Sequence, residues 1–228
     1  MKYLKLIIIS TIFFNVTAFC QKKDFRFKHF TVDDGLSDGI VNSIYQDKSG
    51  FLWFGNDNGL NRYNGYTFKG YKNNNRSKHT ISSNRVLSLL EDSKNNFWIG
   101  TNQGLNYYDR LNDRIIQNPK WPQKTVKAIA EDENNNLWIG TYEDLYYLDF
   151  KKDTLKVYRS NESILDKGYL SSGIISSVFI DSKKNVWIGT NKGLNLYNKK
   201  KDDFVNYYHD NNNKFLHRHL TTNERPHR

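Results

Sequence analysis

One phrase recurs four times along this chain, and its clearest copy runs from Asp92 to Asp109: Asp-Ser-Lys-Asn-Asn-Phe-Trp-Ile-Gly-Thr-Asn-Gln-Gly-Leu-Asn-Tyr-Tyr-Asp. The copies centre on Trp53, Trp98, Trp138 and Trp187. In each, an Asp (Asp47, Asp92, Asp132, Asp181) stands six residues before the Trp. A Gly (Gly55, Gly100, Gly140, Gly189) stands two after it, and a Leu (Leu60, Leu105, Leu145, Leu194) seven after. The steps between tryptophans are 45, 40 and 49 residues. A period of that size denotes a propeller, a solenoid or an array.

Each copy divides into short strands. Val86–Leu90 is apolar, Asp92–Asn96 is a turn run, Phe97–Thr101 is a second strand, Asn102–Gly104 a second turn, and Leu105–Tyr108 a third strand, with a looser fourth near Arg114–Ile116. Strands of this length, split by Gly, Asn and Asp, specify an all-β fold. Four antiparallel strands per repeat make the blade of a β-propeller. No 3.6-residue apolar period supports a helical solenoid. The tryptophans are expected to pack between neighbouring blades and the glycines to permit close approach.

Residues 1–20 read differently. Lys2 and Lys5 flank an apolar run, Leu4 to Phe14, followed by Val16-Thr17-Ala18-Phe19-Cys20. This is the pattern of a secretory signal peptide, and the run is too short for a membrane span. Cleavage after Cys20 leaves Gln21 first. Lipidation of Cys20 is the alternative, against which Phe19 occupies a position where a small residue is needed. Ordinary cleavage leaves no cysteine, and so no disulfide or thiol chemistry. Loss of the two lysines lowers the formal net charge from +10 to +8. In an exported protein nucleic acid is not the expected partner. The lysines, such as Lys199-Lys200-Lys201, read first as solvated turn residues, with a weak bias toward an anionic ligand such as an acidic polysaccharide as the functional alternative.

The first repeat carries a more particular resemblance. Asp34-Gly35-Leu36-Ser37, Val41 to Asp47, Gly50 to Gly55 and Gly59 to Phe68 resemble the N-terminal start of the two-component regulator propeller family, and the later copies resemble its repeat. The resemblance runs from about residue 25 to about residue 223. It implies the periplasmic sensor of hybrid two-component systems typical of Bacteroidetes. There, two seven-bladed propellers precede a β-sandwich, one membrane helix and a cytoplasmic histidine kinase with response-regulator modules. Many such sensors respond to glycan breakdown products, and the full-length relatives can form homodimers.

The expected layout follows. Residues 21–34, with strand-like Phe25–Val32, form a leading strand that closes a last blade lying elsewhere. Blades 1 to 4 occupy 35–79, 80–119, 120–168 and 169–218, about four of a seven-bladed ring. Residues 219–228 begin a fifth: Leu220 to Arg225 repeats the phrase that opens each blade, then sets Arg225 where Val or Ile belongs and Pro226 after it. The chain thus reads as a truncated product, without the kinase or the membrane anchor of its relatives.

Enzyme chemistry finds little support. The recurrent aspartates could suggest the paired carboxylates of a glycosidase, but recurrence at one blade position identifies turn caps. Asp132 to Asn136 lacks the Gly and distal Glu of a calcium loop. His209, His217, His219 and His227 have no ligand spacing, so neither metal nor cofactor is expected. Binding is carried by position. The loops leading into the first strands and the turns between second and third strands share one propeller face, which holds Asn58, Arg85, Asn102 and Asn191. Their amide and guanidinium groups suit sugar hydroxyls and carboxylates, although Asn also suits turn geometry. Trp121, outside the repeat, is either a sugar-stacking platform or an edge packed between blades. The expected function is ligand sensing without catalysis, the ligand an oligosaccharide or another small periplasmic molecule. A stand-alone exported propeller that captures protein partners is the alternative.

Overall fold

A computed structural model describes residues 27–74, 76–160, 168–209 and 217–219. The signal-peptide segment, Cys20, Gln21 and the fifth-blade opening at 220–228 lie outside the described residues. The chain divides at Phe30/Thr31, and every blade belongs to the unit that begins at Thr31.

Four antiparallel sheets follow one another, each in strict sequence order. Blade 1 contains β1 (Val41–Gln46), β2 (Leu52–Asn56), β3 (Gly59–Tyr63) and β4 (Phe68–Tyr71). Blade 2 contains β5 (Val86–Glu91), β6 (Phe97–Thr101), β7 (Gly104–Asp109) and β8 (Arg114–Gln117). Blade 3 contains β9 (Val126–Glu131), β10 (Leu137–Thr141), β11 (Leu145–Asp149) and β12 (Thr154–Tyr158). Blade 4 contains β13 (Ile175–Ile180), β14 (Val186–Thr190), β15 (Leu194–Asn198) and β16 (Asp203–His209). Blade 4 also has a fifth strand, β17 (His217–His219), which pairs Tyr207 with His219 and His209 with His217. The first strands of consecutive blades lie side by side, as the inner strands of a propeller do.

The core lies between blades. Trp53 and Leu60 of blade 1 meet Val86, Phe97, Ile99 and Tyr108 of blade 2. Trp98 and Leu105 meet Val126, Leu137 and Ile139 of blade 3. Trp138 and Leu145 meet Ile175, Val186 and Ile188 of blade 4. The rings interlock, with Trp53 stacked on Phe97 at 4.6 Å and Trp138 tilted against Tyr197 at 4.7 Å. At the two ends of the series the same positions are open. Ile44 of blade 1 is 63% exposed, whereas its counterpart Leu89 packs on blade 1. Leu194 of blade 4 is 39% exposed, whereas Leu60, Leu105 and Leu145 are buried.

The repeated glycine has a specific neighbour. A Cβ on Gly55 would sit 2.7 Å from Val86 Cγ1, on Gly100 2.6 Å from Val126 Cγ1, and on Gly140 2.4 Å from Ile175 Cγ2. The bare Cα therefore receives the β-branched residue that opens the first strand of the next blade. An own-blade serine hydroxyl lies nearest at Gly55 (Ser43 Oγ), Gly100 (Ser88 Oγ) and Gly189 (Ser177 Oγ), but at Gly189 the three nearest atoms all belong to its own blade, on Ser177 and Ser176.

Two expectations need correction. Residues 27–32 pair with no strand among the described residues, and the chain turns from Thr31, where Asp34 Oδ2 accepts from the Thr31 amide at 2.8 Å and from Thr31 Oγ1 at 3.1 Å, so a strand cannot run through to Val32. Trp187 is not clamped between blades among the described residues. It is only partly buried, and its ring partner is Tyr207 of its own blade, at 5.9 Å.

Two stability differences follow. Gly100→Ala is expected to cost about 1–3 kcal/mol by overpacking against Val126, and Gly189→Ala clearly less, in parallel denaturant titrations. Trp98→Ala should lose about 3–5 kcal/mol, the range for a buried large aromatic. Trp187→Ala should lose less than half of that, and equal losses would contradict the asymmetry between interior and end blades.

Candidate functional site

The two ends of each blade are built differently. At one end, the turn between first and second strands is closed by the recurrent aspartate. Asp92 Oδ1 accepts from the amides of Lys94 (3.0 Å) and Asn96 (2.8 Å), and Oδ2 accepts from the Trp98 indole at 2.9 Å. Asp47 and Asp181 do the same for Trp53 (2.8 Å) and Trp187 (3.0 Å). Burial works against the charge on Asp47, but the Trp53, Arg110 and Phe51 hydrogen bonds outweigh it and lower its pKa. The Trp187 and Asn185 bonds hold Asp181 at about 2. Blade 3 departs: Asp132 Oδ2 accepts instead from the Tyr147 hydroxyl at 2.9 Å, and the buried Trp138 indole nitrogen has no acceptor among the described residues.

A second aspartate, unnoticed in the sequence, joins blades at the outer strands. Asp113, with φ of 48°, accepts from Tyr71 (2.7 Å) and Lys69 of blade 1 and from Tyr108 (2.7 Å) of its own blade. Asp202, with φ of 56°, accepts from Lys156, Tyr158 (2.7 Å) and Tyr197 (2.8 Å) across the blade 3–4 junction. Burial raises the Asp113 carboxyl, but the Lys69, Tyr71 and Tyr108 bonds dominate and bring it to about 2. The signal was a Tyr in the fourth strand, a Tyr in the next third strand and an Asp five residues on. Each is too common to stand out alone.

The opposite end is the loop face. Its leading loops are pinned by buried asparagines of the third strands. Asn61 Oδ1 accepts from the Ser37 amide (2.9 Å), Asn106 from Ser82 (2.9 Å) and Asn195 from Ser171 (2.7 Å). Blade 3 has Tyr146 at this position. Asn58 is exposed and donates to Ser37 O at 3.2 Å. Arg85 is exposed, with its guanidinium 3.1 Å from Asp57, and its carbonyl accepts from the Asn102 amide at 3.1 Å. These three residues therefore follow one rim. Asn191 takes the corresponding place in blade 4, its amide donating to Ile174 O at 3.3 Å. Trp121 lies edge-on against Trp98 at 5.2 Å and packs on the blade 2–3 core, so its ring is engaged between blades.

The residues singled out line neither of two cavities among the described residues. One of about 600 Å³ lies beside them, bounded by Asn73, Asn74, Arg76, Lys78, Gln103 and Gln123 among others. Several of its amides serve the backbone: Asn73 Nδ2 bonds Ile81 O and Gln123 Nε2 bonds Trp121 O. The side chains of Arg76, Lys78 and Gln103 make no hydrogen bond among the described residues. Sequence reading passed over the Asn-rich loop that follows β4, because Asn in loops is ordinary.

Propeller blades with this aspartate–tryptophan turn define a class before any particular member. Residues 35–58, 80–103, 120–143 and 169–192 match the two component regulator propeller family. The four blades are its repeats, and the chain belongs to that family. A stretch of 78 residues is 45% identical to Histidine kinase P4 of Formosa agariphila, covering 33% of this chain and 6% of that protein. The extracellular domain of a proposed one component system from B. thetaiotaomicron superposes with a TM-score of 0.64 at 30% identity, covering 74% of this chain and 22% of the other. That of a proposed hybrid two component system from the same organism gives 0.55 at 26%, covering 79% and 32%. The chain thus spans a small part of the length of these relatives.

Acid is the direct probe of the aspartates. Their folded pKa values, about 2 for Asp113 and Asp181, lie below the ordinary 3.8. A depressed carboxylate contributes stability that is complete above the unfolded value and lost as pH falls through the folded one. Melting temperature should therefore hold down to about pH 4 and fall between about pH 4 and pH 2. Asp113→Asn should flatten part of that fall.

Proposed function

We propose that this chain is the ligand-sensing propeller segment of a periplasmic two-component sensor, that it has no catalysis of its own, and that its ligand is an oligosaccharide. The observation that carries the reading is the amide- and cation-lined cavity of about 600 Å³ on the loop face. Carboxamides both donate and accept, which matches vicinal hydroxyls, and guanidinium adds charge-assisted bonds. Such a set orients a sugar without supplying an acid–base pair. The similarity to extracellular domains of proposed one- and two-component systems supports an exported sensor. Asn58, Arg85 and Asn102 extend the surface along the neighbouring rim, and Asn191 marks its continuation in blade 4. Arg85 is already engaged by Asp57, so its part is to hold the rim.

Calorimetric titration with neutral tetrasaccharides of glucose, mannose, xylose and galactose tests this. At least one should bind, and Arg76→Ala combined with Gln103→Ala should weaken it at least tenfold while the melting temperature holds. Unchanged affinity in that variant would move the site off this cavity, and release of shorter sugars would show an enzyme.

A further inference from the structure

A second cavity, of about 530 Å³, opens at the other end of the blades, between blades 3 and 4. Its origin is the loss of a contact that the other junctions make. At the first junction the Lys48 amide donates to Glu91 Oε2 at 2.7 Å, and at the second the Ser93 amide donates to Glu131 Oε2 at 2.7 Å. In both, a glutamate ending the first strand of one blade reaches the aspartate turn of the blade before it. Blade 4 has Ile180 at that position, turned into the blade 3–4 core, so the Glu133 amide meets no carboxylate there.

The covering side chain differs as well. Arg110 lies across the first junction, with Nη1 2.9 Å from Asp47 and Nη2 2.8 Å from Glu91. Phe150 takes its place at the second and stacks on Trp98 at 5.5 Å. At the third the residue is Lys199, drawn to Glu133 at 2.6 Å, which leaves the crevice open.

What remains in the crevice is strongly one-sided. Four lysines line it, Lys183 and Lys184 on the β13–β14 turn and Lys199 and Lys200 on the β15–β16 turn, against Asp132 and Glu133. Glu133 is paired with Lys199, and Asp132 accepts from the Asn134 and Asn136 amides and the Tyr147 hydroxyl. Lys183, Lys184 and Lys200 have no carboxylate within salt-bridge distance among the described residues. The wall between these charges is aromatic and aliphatic, with Tyr197, Val186 and Leu196 beside Trp138, whose indole N–H is the one of the four left without an acceptor among the described residues. An apolar wall ringed by ammonium groups and a backbone amide that have no carboxylate partner among the described residues accommodates a molecule with a flat or aliphatic body and more than one carboxylate. A bare inorganic ion would leave the wall unused.

We propose that the blade 3–4 crevice is a binding site for a small organic polycarboxylate, separate from the loop-face cavity. The ammonium groups of Lys183, Lys184 and Lys200 hold the carboxylates, the Glu133 amide contributes a fixed donor, and Tyr197 and Leu196 carry the body of the ligand. Attraction of this kind is screened by salt, so affinity should fall as ionic strength rises.

The test is calorimetric titration of the intact chain with citrate, digalacturonate, inorganic phosphate and neutral maltose. Citrate or digalacturonate should bind more tightly than phosphate, and maltose should not compete. Binding by citrate alone assigns the crevice to plain organic acids, and by digalacturonate alone to acidic sugars. Lys183→Ala with Lys184→Ala should weaken the binding at least tenfold, whereas Lys94→Ala, on the corresponding turn of blade 2, should leave it unchanged. Ile180→Glu restores the acceptor found at the other junctions and should abolish binding, and the lysine pair decides the matter if that variant does not fold. Absence of binding by both carboxylates at millimolar concentration, equal binding by phosphate, or indifference to the lysine pair overturns the proposal. None of these outcomes depends on whether the loop face takes a sugar.

Discussion

In three of the four blades the structure depends on an aspartate that closes a turn with one oxygen and holds an indole with the other. A four-residue turn alone fixes little, and a tryptophan on a β-strand can adopt several rotamers. Joining them removes both freedoms at once: the amides of the turn are satisfied, and the ring is presented to the neighbouring blade in a single orientation. The indole then covers the apolar side chains of that blade, and a glycine two residues on makes room for the β-branched residue at its start. Local hydrogen bonding thereby decides a non-local packing geometry.

Much of this was legible in the sequence because it repeats. Four coincidences of Asp, Trp, Gly and Leu at constant offsets establish the blade and the strand order, and the Asp positions identify the turn. What could not be read depended on pairing across blades. Asp113 and Asp202 join tyrosines more than thirty residues apart in sequence, and neither belongs to the recurrent phrase. Asn61, Asn106 and Asn195 were visible as letters, but only the structure shows them bonding the leading loops from a buried position. The segment before Asp34 has the aromatics of a strand, but its end, from Thr31, is turned by a carboxylate that bonds Thr31.

The candidate sites were less legible than the fold, for a physical reason. A binding surface is made of residues whose hydrogen bonds remain unspent, and sequence gives no account of which are spent. Arg85 looks available until Asp57 is placed beside it, and Trp121 until Trp98 is. Gln103, one residue from a position singled out for binding, has a side-chain carboxamide with no hydrogen bond among the described residues. Even within the repeat, the exchange of Trp138 for Tyr147 on Asp132 follows from one tyrosine hydroxyl whose reach cannot be judged from its position in the chain.

The glycine that receives the next blade's first residue has a further consequence. Because the same bare Cα meets Val86, Val126 and Ile175 in turn, each outgoing surface is matched to a type of neighbour and not to one individual neighbour. Copying a blade-length stretch of DNA in tandem would bring together surfaces already fitted to one another, with no compensating change on either side. Such a chain can lengthen by unequal recombination without passing through an ill-packed intermediate.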